Sequence, residues 1–185
     1  MRWARTGLGI LLILCFASAC SRPPSKEAIE FQNRVISDLG ELVPPLVQVL
    51  PTKSTDSVSK LLVGFFNANP NRAKLFAGFI VFDDEGRVIS AYSPFEDATQ
   101  VNGQDFSSYE EVKRTLKKHD TTTMVLYYLS NGRRMTLPAV NLPLKKGGAF
   151  EGILSAFFLK SALDEEYRIS LEDFRRLKFS DLRAG

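Results

Sequence analysis

The sequence predicts an α+β fold: a five-stranded antiparallel sheet with a long N-terminal helix on one face and a loop–helix segment on the other. Three observations predict it. Apolar residues recur every three or four positions over residues 25–43, as on one face of a helix. After residue 74 the pattern changes to short apolar runs separated by turn residues, as in strands. The last run, residues 149–159, is apolar at both alternations, which indicates a strand covered on both faces.

Two helices are predicted before the sheet and one after it. The first starts at Ser25, and Pro44-Pro45 predicts its end because a proline inside a helix removes a hydrogen bond. Its apolar face consists of Ala28, Ile29, Val35, Ile36, Leu39, Leu42 and Val43. The second covers residues 54–67. The C-terminal helix follows Ser170, with Asp173 three residues on as the partner in its cap.

The five strands are predicted as a hairpin followed by a three-stranded meander. The hairpin joins residues 74–82 to residues 87–92 through the acidic turn Asp83-Asp84-Glu85-Gly86. The meander consists of residues 122–129, 133–144 and 149–159. The segment between hairpin and meander, residues 93–119, includes a helix predicted over Ser107–Lys118. Its acidic residues come early and its lysines late, as the helix dipole favours.

The composition limits which classes of function are possible for this chain. The chain has 185 residues, 44% of them hydrophobic, which is enough for one domain with a real core. Its formal charge is +3, from 24 basic and 21 acidic residues. A charge this close to zero gives no electrostatic basis for nucleic-acid binding. There is one histidine, His119, at a predicted helix end and without a nucleophile motif. The sequence therefore predicts no enzyme active site, no metal site and no cofactor.

Residues 1–19 are predicted to be a secretory signal peptide. Two arginines precede an apolar stretch, residues 8–16, and the small residues Ala17-Ser18-Ala19 follow it. The apolar stretch is shorter than the about 20 residues that a membrane span needs. Cys20 comes next, and it is the lone cysteine once Cys15 has been removed with the signal peptide.

The stretch Ala17-Ser18-Ala19-Cys20 resembles the lipobox of bacterial lipoproteins. The resemblance implies cleavage before Cys20, acylation of that residue with palmitate among the acyl groups, and a tether over residues 20–26. Several acyl chains, at about 0.8 kcal/mol per buried CH₂, anchor a protein stably in the cell envelope. Ser21 at the next position implies the outer membrane if the cell is Gram-negative, with the domain facing the periplasm or the extracellular side. The alternative is an ordinary secretory signal that happens to contain Cys20.

Residues 75–159 resemble the Cache domains, which are extracytoplasmic PAS-like sensor domains. Three stretches carry the resemblance: FIVFDDEGRVIS as the first hairpin, VNGQDFSSYEEVKRTLKK as the segment leading into the helix over the pocket, and LPAVNLPLKKGGAFEGILSAFF as the last two strands. The resemblance implies a single Cache-like domain over residues 27–185, including the C-terminal helix. It also implies a small-molecule ligand, such as a carboxylate or an amino acid, and a membrane receptor or kinase as signalling partner.

The residues predicted to lie nearest the ligand are Asp105, Tyr109, Tyr127, Arg133 and Phe157. Tyrosines suit pocket walls because the ring is apolar and the tip polar. The alternative is that these are ordinary half-buried residues of the sheet and helix. Amino-acid-binding Cache domains usually have an arginine shortly after the G-x-D-x-S segment and an aspartate on the last strand. Here Ser108-Tyr109-Glu110-Glu111 contains no arginine and Phe157 stands at the aspartate position, which argues against an amino-acid ligand.

Two functions are predicted from these observations. The first is a lipid-anchored, extracytoplasmic, non-enzymatic sensor domain that binds a small ligand, a membrane signalling partner, or both. The second is a structural or assembly lipoprotein that uses the PAS-like sheet as a protein-interaction surface. A cavity lined by Tyr109, Tyr127 and Arg133 favours the first function, whereas a pocket filled by Phe157 favours the second.

Overall fold

The computed structural model describes residues 23–130 and 133–179, and the side chains of residues 128–134 lie outside this description. The α-helices of these ranges are α1 (Lys26–Val49), α2 (Thr55–Ala68), α3 (Glu110–Lys118) and α4 (Leu171–Arg176). The strands are β1 (Phe76–Asp83), β2 (Val88–Tyr92), β3 (Thr122–Ser130), β4 (Arg133–Lys146) and β5 (Ala149–Phe158). Among the described residues, no helix combines the length and the hydropathy that a membrane span requires.

The five strands form one antiparallel sheet in the order β2-β1-β5-β4-β3. The β1–β2 hairpin therefore joins the last strand, and β5 lies at the centre. Helices α1, α2 and α4 cover one face, which we call the proximal face. The loop–helix segment that ends in α3 covers part of the other face, which we call the distal face. This confirms the predicted α+β fold, with the long N-terminal helix and the loop–helix segment on opposite faces.

Helix α1 runs through Pro44 and Pro45, so the helix end predicted at these prolines is wrong. A proline leaves the carbonyl four residues earlier without its helical N–H partner. Those carbonyls belong to Gly40 and Glu41, which are exposed, so water can take the place of the missing N–H groups. Beyond the prolines the continued helix buries two apolar side chains, each worth about 1.5–3 kcal/mol when fully buried: Leu46 and Val47.

Helix α1 spans the sheet from one end to the other. We call the end with Phe76 and Phe158 the lower end, and the end with the tip of the β1–β2 hairpin the upper end. At the lower end Phe76 pairs with Phe158, and Phe31 near the start of α1 packs on Phe158 with ring centroids 5.2 Å apart. At the upper end the tip of the β1–β2 hairpin meets Lys53, whose Nζ lies 2.8 Å from Asp84 Oδ1. Lys53 follows α1 by four residues, so α1 runs the length of the sheet. Its 24 residues span about 36 Å.

Helix α3 begins at Glu110, three residues after the predicted start at Ser107. The reason is Asp105, whose Oδ1 accepts a 2.8 Å hydrogen bond from the Ser107 backbone N–H and holds the chain in a turn. Gly86 of the hairpin tip has φ +90° and lies so close that a Cβ atom would come to 3.0 Å from the Ser107 Cα. The loop therefore rests on the hairpin tip, and the helix starts only beyond it.

The proximal face carries the main core. Phe31, Phe158 and Phe174 meet edge to face, with ring centroids 5.2 to 6.1 Å apart. Phe174 belongs to α4, whose predicted cap is confirmed, because Ser170 Oγ accepts a 3.0 Å hydrogen bond from the Asp173 N–H. These contacts attach the C-terminal helix to α1 and to the centre of the sheet.

Candidate functional site

Side chains of β5 alternate between the two faces of the sheet. Those at even positions pack in the proximal core and are completely buried: Leu154, Ala156 and Phe158. Those at odd positions face the distal side: Ile153, Ser155 and Phe157. Helices cover the proximal face along its length. The distal face is less covered, and a ligand site is therefore expected there.

The upper half of the distal face is closed by the loop–helix segment. Val112 of α3 packs with Phe82, Val88 and Ile153 in one buried cluster. Phe106 from the loop lies edge-on to Phe82, with ring centroids 5.9 Å apart. These contacts hold the loop–helix segment against β1, β2 and β5.

A row of buried polar side chains, which we call the polar row, crosses the middle of the distal face: Thr115 of α3, Thr122 of β3, Asn141 of β4 and Ser155 of β5. Ser155 Oγ donates to Asn141 Oδ1 at 2.5 Å, and Asn141 Nδ2 donates to Thr122 Oγ1 at 3.2 Å. The hydroxyls of Thr122 and Thr115 are 2.8 Å apart, and Thr115 donates to the Glu111 carbonyl at 3.0 Å. Since that bond uses the Thr115 hydrogen, Thr122 donates to Thr115. The row is satisfied internally and ties α3 to three strands.

Below the polar row lies an apolar surface that we call the distal strip. It consists of Ile80, Met124, Leu126, Leu137 and Phe157. Met124 and Phe157 are each 8% exposed, and the other three side chains are more open. Met135, two residues before Leu137 on β4, is 43% exposed and extends the strip toward the lower end. Apolar side chains in the middle of the sheet are therefore left partly accessible to solvent.

The distal strip is suited to bind an apolar group. Its side chains are uncharged, so a charged ligand would lose its water shell without gaining an ionic partner from them. Methionine adapts its shape readily, which favours its use on binding surfaces. A contiguous, partly exposed apolar surface is a feature of sites that bind a ligand, another protein or a membrane.

The fold has counterparts among solved structures. A domain of a sensory box/GGDEF family protein from Vibrio parahaemolyticus matches over 80% of this chain and 61% of its own, with a TM-score of 0.55 and 17% identity. The sensor domain of the histidine kinase DctB from V. cholerae matches over 77% of this chain and 57% of its own, with a TM-score of 0.52 and 13% identity. The E. coli DcuS sensor domain matches over 77% and 98%, with a TM-score of 0.52 and 14% identity. This is the Cache-like fold of extracytoplasmic sensor domains.

The likeness is one of fold, because the identities are 13 to 17%. The chain spans about three-fifths of the length of the first two of these domains. No protein-family model and no curated protein matches it. The predicted Cache-like architecture is thereby confirmed, and the ligand has to be inferred from the residues of the distal face.

Phe157 lies at the centre of the distal strip of this Cache-like sheet, beside Ala139 of β4. Tyr127 belongs to β3, but it has the opposite alternation from Met124 and Leu126. It therefore faces the proximal side, where it is 50% exposed. These two predicted ligand residues are on different faces of the sheet.

Asp105 and Tyr109 lie at the upper end, on the outside of the loop–helix segment. Asp105 forms a β-bridge with Arg87, and hydrogen bonds from Ser107, first from its side chain and then from its backbone, lower the pKa of the Asp105 carboxyl. Tyr109 is 56% exposed, and its ring lies 4.8 Å from that of Phe106. Both residues brace the loop at the end of the sheet away from the distal strip.

Two predicted residues, Cys20 and the Arg133 side chain, lie outside the described residues, and their roles stay predictions. The described predicted residues occupy three separate places rather than one pocket. Sequence reasoning missed Met124 and Asn141, which lie at the centre of the distal face. The signal was the alternation along β3, whose register with β4 places Met124 opposite Ala139.

A concave feature lies on the proximal side at the lower end. Glu27, Glu30 and Arg34 of α1 line a shallow depression of about 320 Å³ together with Glu166 and Tyr167. Burial first, and then the negative charge of Glu166, raise the pKa of the Tyr167 hydroxyl. The carboxylates do not converge on a point, since within the described ranges no three His, Cys, Asp or Glu side chains form a possible metal site.

Proposed function

We propose that this protein is a lipid-anchored, extracytoplasmic, non-enzymatic sensor domain that binds a neutral, largely apolar small molecule on the distal strip. The observation that carries the proposal is the contrast between the two faces at the end of β5. Phe158 is completely buried on the proximal face, whereas the distal strip around Phe157 leaves Leu126 and Leu137 partly exposed. The use of the same fold in sensor domains of other proteins supports a sensor role.

The chemistry of the ligand follows from the side chains of the strip. An amino acid or a dicarboxylate needs a cation for its carboxylate, and Arg is the side chain that pairs with it best. The helix start around Tyr109 contains no arginine, and Phe157 puts an apolar ring on the last strand. Both features support an uncharged ligand that is recognised by shape and apolar area.

The proposed anchor puts this site close to a membrane. The six residue-to-residue steps from Cys20 to Lys26, the first residue of α1, reach about 20 Å at most. The start of α1 and the distal strip lie toward the same lower end of the sheet. A ligand-bound strip would therefore be within reach of a receptor or kinase in the same membrane, which we propose as the signalling partner.

A neutral apolar ligand is expected to raise the melting temperature of the full-length protein. The compounds to compare are small alcohols, esters and aromatic compounds against organic acids and amino acids of similar size. At 100 times its dissociation constant, a ligand stabilises the protein by about 2.7 kcal/mol. Leu126→Gln should remove the shift, because it places a polar amide in the strip.

Val125→Gln is the matched control for this experiment. Val125 precedes Leu126 on β3, is also partly exposed, and has the opposite alternation, so its amide would lie on the proximal side. This variant should keep the ligand-induced shift. The proposal is wrong if no compound shifts the melting temperature, if only charged compounds do, or if both variants lose the shift equally.

Cys20→Ser is expected to abolish the incorporation of labelled palmitate into the protein in growing cells. Acylation at this position needs the thiol of Cys20. Serine replaces this thiol by a hydroxyl of similar size. Cys15→Ser is the matched control and should keep the label, because Cys15 belongs to the predicted signal peptide. Equal labelling of the Cys20→Ser variant and the wild type would exclude the anchor.

A second candidate function is a structural or assembly lipoprotein that uses the sheet as a protein-interaction surface. The filled centre of the distal face favours it: Asn141 and Ser155 are completely buried, and Phe157 is 8% exposed. This second function would be favoured if no compound shifts the melting temperature while Cys20 is still acylated.

A further inference from the structure

The upper end of the molecule carries six cationic side chains from two separate elements. Four are on α3 and all are exposed: Lys113, Arg114, Lys117 and Lys118. Two are at the tip of the β4–β5 hairpin, where Lys146 is exposed and Lys145 partly buried. We call these six residues the basic face.

The four cations of α3 lie on one side of the helix because of their spacing. They occupy positions i, i+1, i+4 and i+5, which form a stripe two residues wide. The opposite side of α3 packs on the sheet through Val112 and Thr115. The stripe therefore points away from the domain, into solvent.

The fold brings the hairpin tip next to the end of this stripe. His119, directly after α3, stacks on the ring of Phe150, with centroids 4.2 Å apart and an interplanar angle of 8°. Phe150 is the partner of Lys145 in the β4–β5 ladder. Two lysine pairs that are 28 residues apart in the sequence, Lys117-Lys118 and Lys145-Lys146, are thus brought to the same end of the domain by this contact.

The basic face is not neutralised by the domain itself. None of its six cations forms an ion pair within the described part of the chain. Glu110 precedes Lys113 and Arg114 by three and four residues, a spacing that allows ion pairs on a helix, and still makes none. The acidic hairpin tip nearby is already paired, since Asp84 contacts Lys53. The helix dipole accounts for cations in the last turn of α3 but not for Lys113, Arg114 or the hairpin pair.

We propose that the basic face binds an extended acidic segment of a partner protein. Charge complementarity defines the chemistry of that partner. Successive pairs on α3 are about 6 Å apart along the helix axis, close to the about 6.6–6.8 Å between alternate residues of an extended strand. An acidic residue at every second position of an extended segment therefore matches the stripe, and the hairpin pair continues it.

The position of the basic face favours a protein over a membrane. It lies at the upper end of the sheet, whereas the chain enters α1 at the lower end, about 36 Å away along the helix. This part of the argument rests on the proposed anchor, because the tether then holds the lower end against the lipid. The basic face would point away from that membrane, toward proteins in the aqueous compartment.

The test is fluorescence anisotropy with a labelled peptide of five Glu-Ser repeats and the full-length protein in micelles of a nonionic detergent, at about 0.1 M salt. The peptide should bind, and a peptide of five Gln-Ser repeats should not. The double variants Lys113→Gln/Arg114→Gln and Lys145→Gln/Lys146→Gln should each weaken binding about five- to tenfold, as expected for the loss of two surface ion pairs. The control Lys60→Gln/Lys74→Gln removes the same charge from exposed lysines elsewhere and should bind as the wild type does.

Each other outcome overturns the proposal. Equal weakening in all three double variants would mean that net charge alone attracts the peptide. An effect of only one of the two basic-face variants would mean that helix and hairpin do not act as one surface. Failure to bind the acidic peptide would exclude an acidic protein segment as the partner. Neither the ligand-induced thermal shift nor the palmitate label enters this measurement, so its failure is separable from failure of the sensor function.

Discussion

Arg72→Ala is expected to lower the free energy of unfolding by about 3 kcal/mol, the lower end of the usual cost of breaking a buried ion pair, because Asp38 keeps a second partner in Arg34, whose Nε lies 2.6 Å from Asp38 Oδ2. Arg72 is 3% exposed, and its Nε lies 3.3 Å from Asp38 Oδ1, itself in a residue that is 5% exposed. The guanidinium also donates to the Phe65 carbonyl at 2.7 Å and lies 3.9 Å from the centroid of the Phe65 ring. Its third nitrogen, Nη2, contacts the Glu41 carboxylate. One side chain thus joins α1 to the end of α2.

Arg72→Lys should recover only part of this stability. An ammonium group is compact and lacks the planar fork that donates in several directions while one face covers a ring. Urea unfolding at neutral pH gives the free energy of unfolding of the wild type, Arg72→Ala and Arg72→Lys. The matched control is Arg87→Ala, because Arg87 Nε lies 3.8 Å from a carboxylate of the exposed Glu85. Its effect should stay within about 0.5 kcal/mol, and equal effects of Arg72→Ala and Arg87→Ala would contradict the role assigned to the buried network.

Phe158→Ala is expected to cost about 3–5 kcal/mol, the range for removing a fully buried phenylalanine. The ring is 0% exposed and contacts the rings of Phe31, Phe76 and Phe174 at centroid distances of 5.2, 5.3 and 5.7 Å. These neighbours belong to α1, β1 and α4. The cavity left by the substitution would therefore lie at the junction of three elements that cannot all move in to close it.

Phe157→Ala is the matched comparison, since it removes the same side chain from the next residue on the opposite face. Its cost should be smaller by about 1–2 kcal/mol, because the space it leaves opens onto the partly exposed distal strip and can be filled by water or by side-chain movement. Urea unfolding of both variants gives the difference. Equal costs would show that the distal face is as closed as the proximal one, which would contradict an open strip.

Much of the fold was predictable from patterns that are local in the chain. The periodicity before Pro44, the acidic hairpin turn and the alternation of β5 each report burial at neighbouring positions, and the structure confirms these elements. The prediction that the helix ends at Pro44-Pro45 is wrong. The helical hydrogen bonds lost at the two prolines are offset by the burial of apolar side chains of α1 against the rest of the domain. Which side of a helix faces water decides whether a proline is tolerated, and this depends on the sheet packed against it.

The candidate site was harder to predict because it depends on strand register. Asn141 sits in a run of apolar residues and proline, where its neighbours along the chain say nothing about its partners. Only the pairing of β4 with β3 and β5 places it between Thr122 and Ser155. Tyr127 was predicted to face the ligand from its chemistry, but one position along a strand reverses the face on which a side chain lies. Residue type suggested which residues could bind a ligand, and their odd or even position along the strands decided on which face of the sheet each one lies.

The polar row also has a direction, set by where its hydrogens go. The Ser155, Thr122 and Thr115 hydroxyls and the Asn141 amide all donate to partners within the protein, with the second Asn141 N–H directed at Met124 Sδ at 3.8 Å. What remains is lone pairs on oxygen, chiefly on Ser155 Oγ and Asn141 Oδ1. Both residues are completely buried, so these lone pairs lie out of reach of a molecule on the distal strip. The hydrogen bonds run one way across the sheet, from Ser155 on β5 to the Glu111 carbonyl of α3, so the loss of one member leaves a buried donor before it without an acceptor.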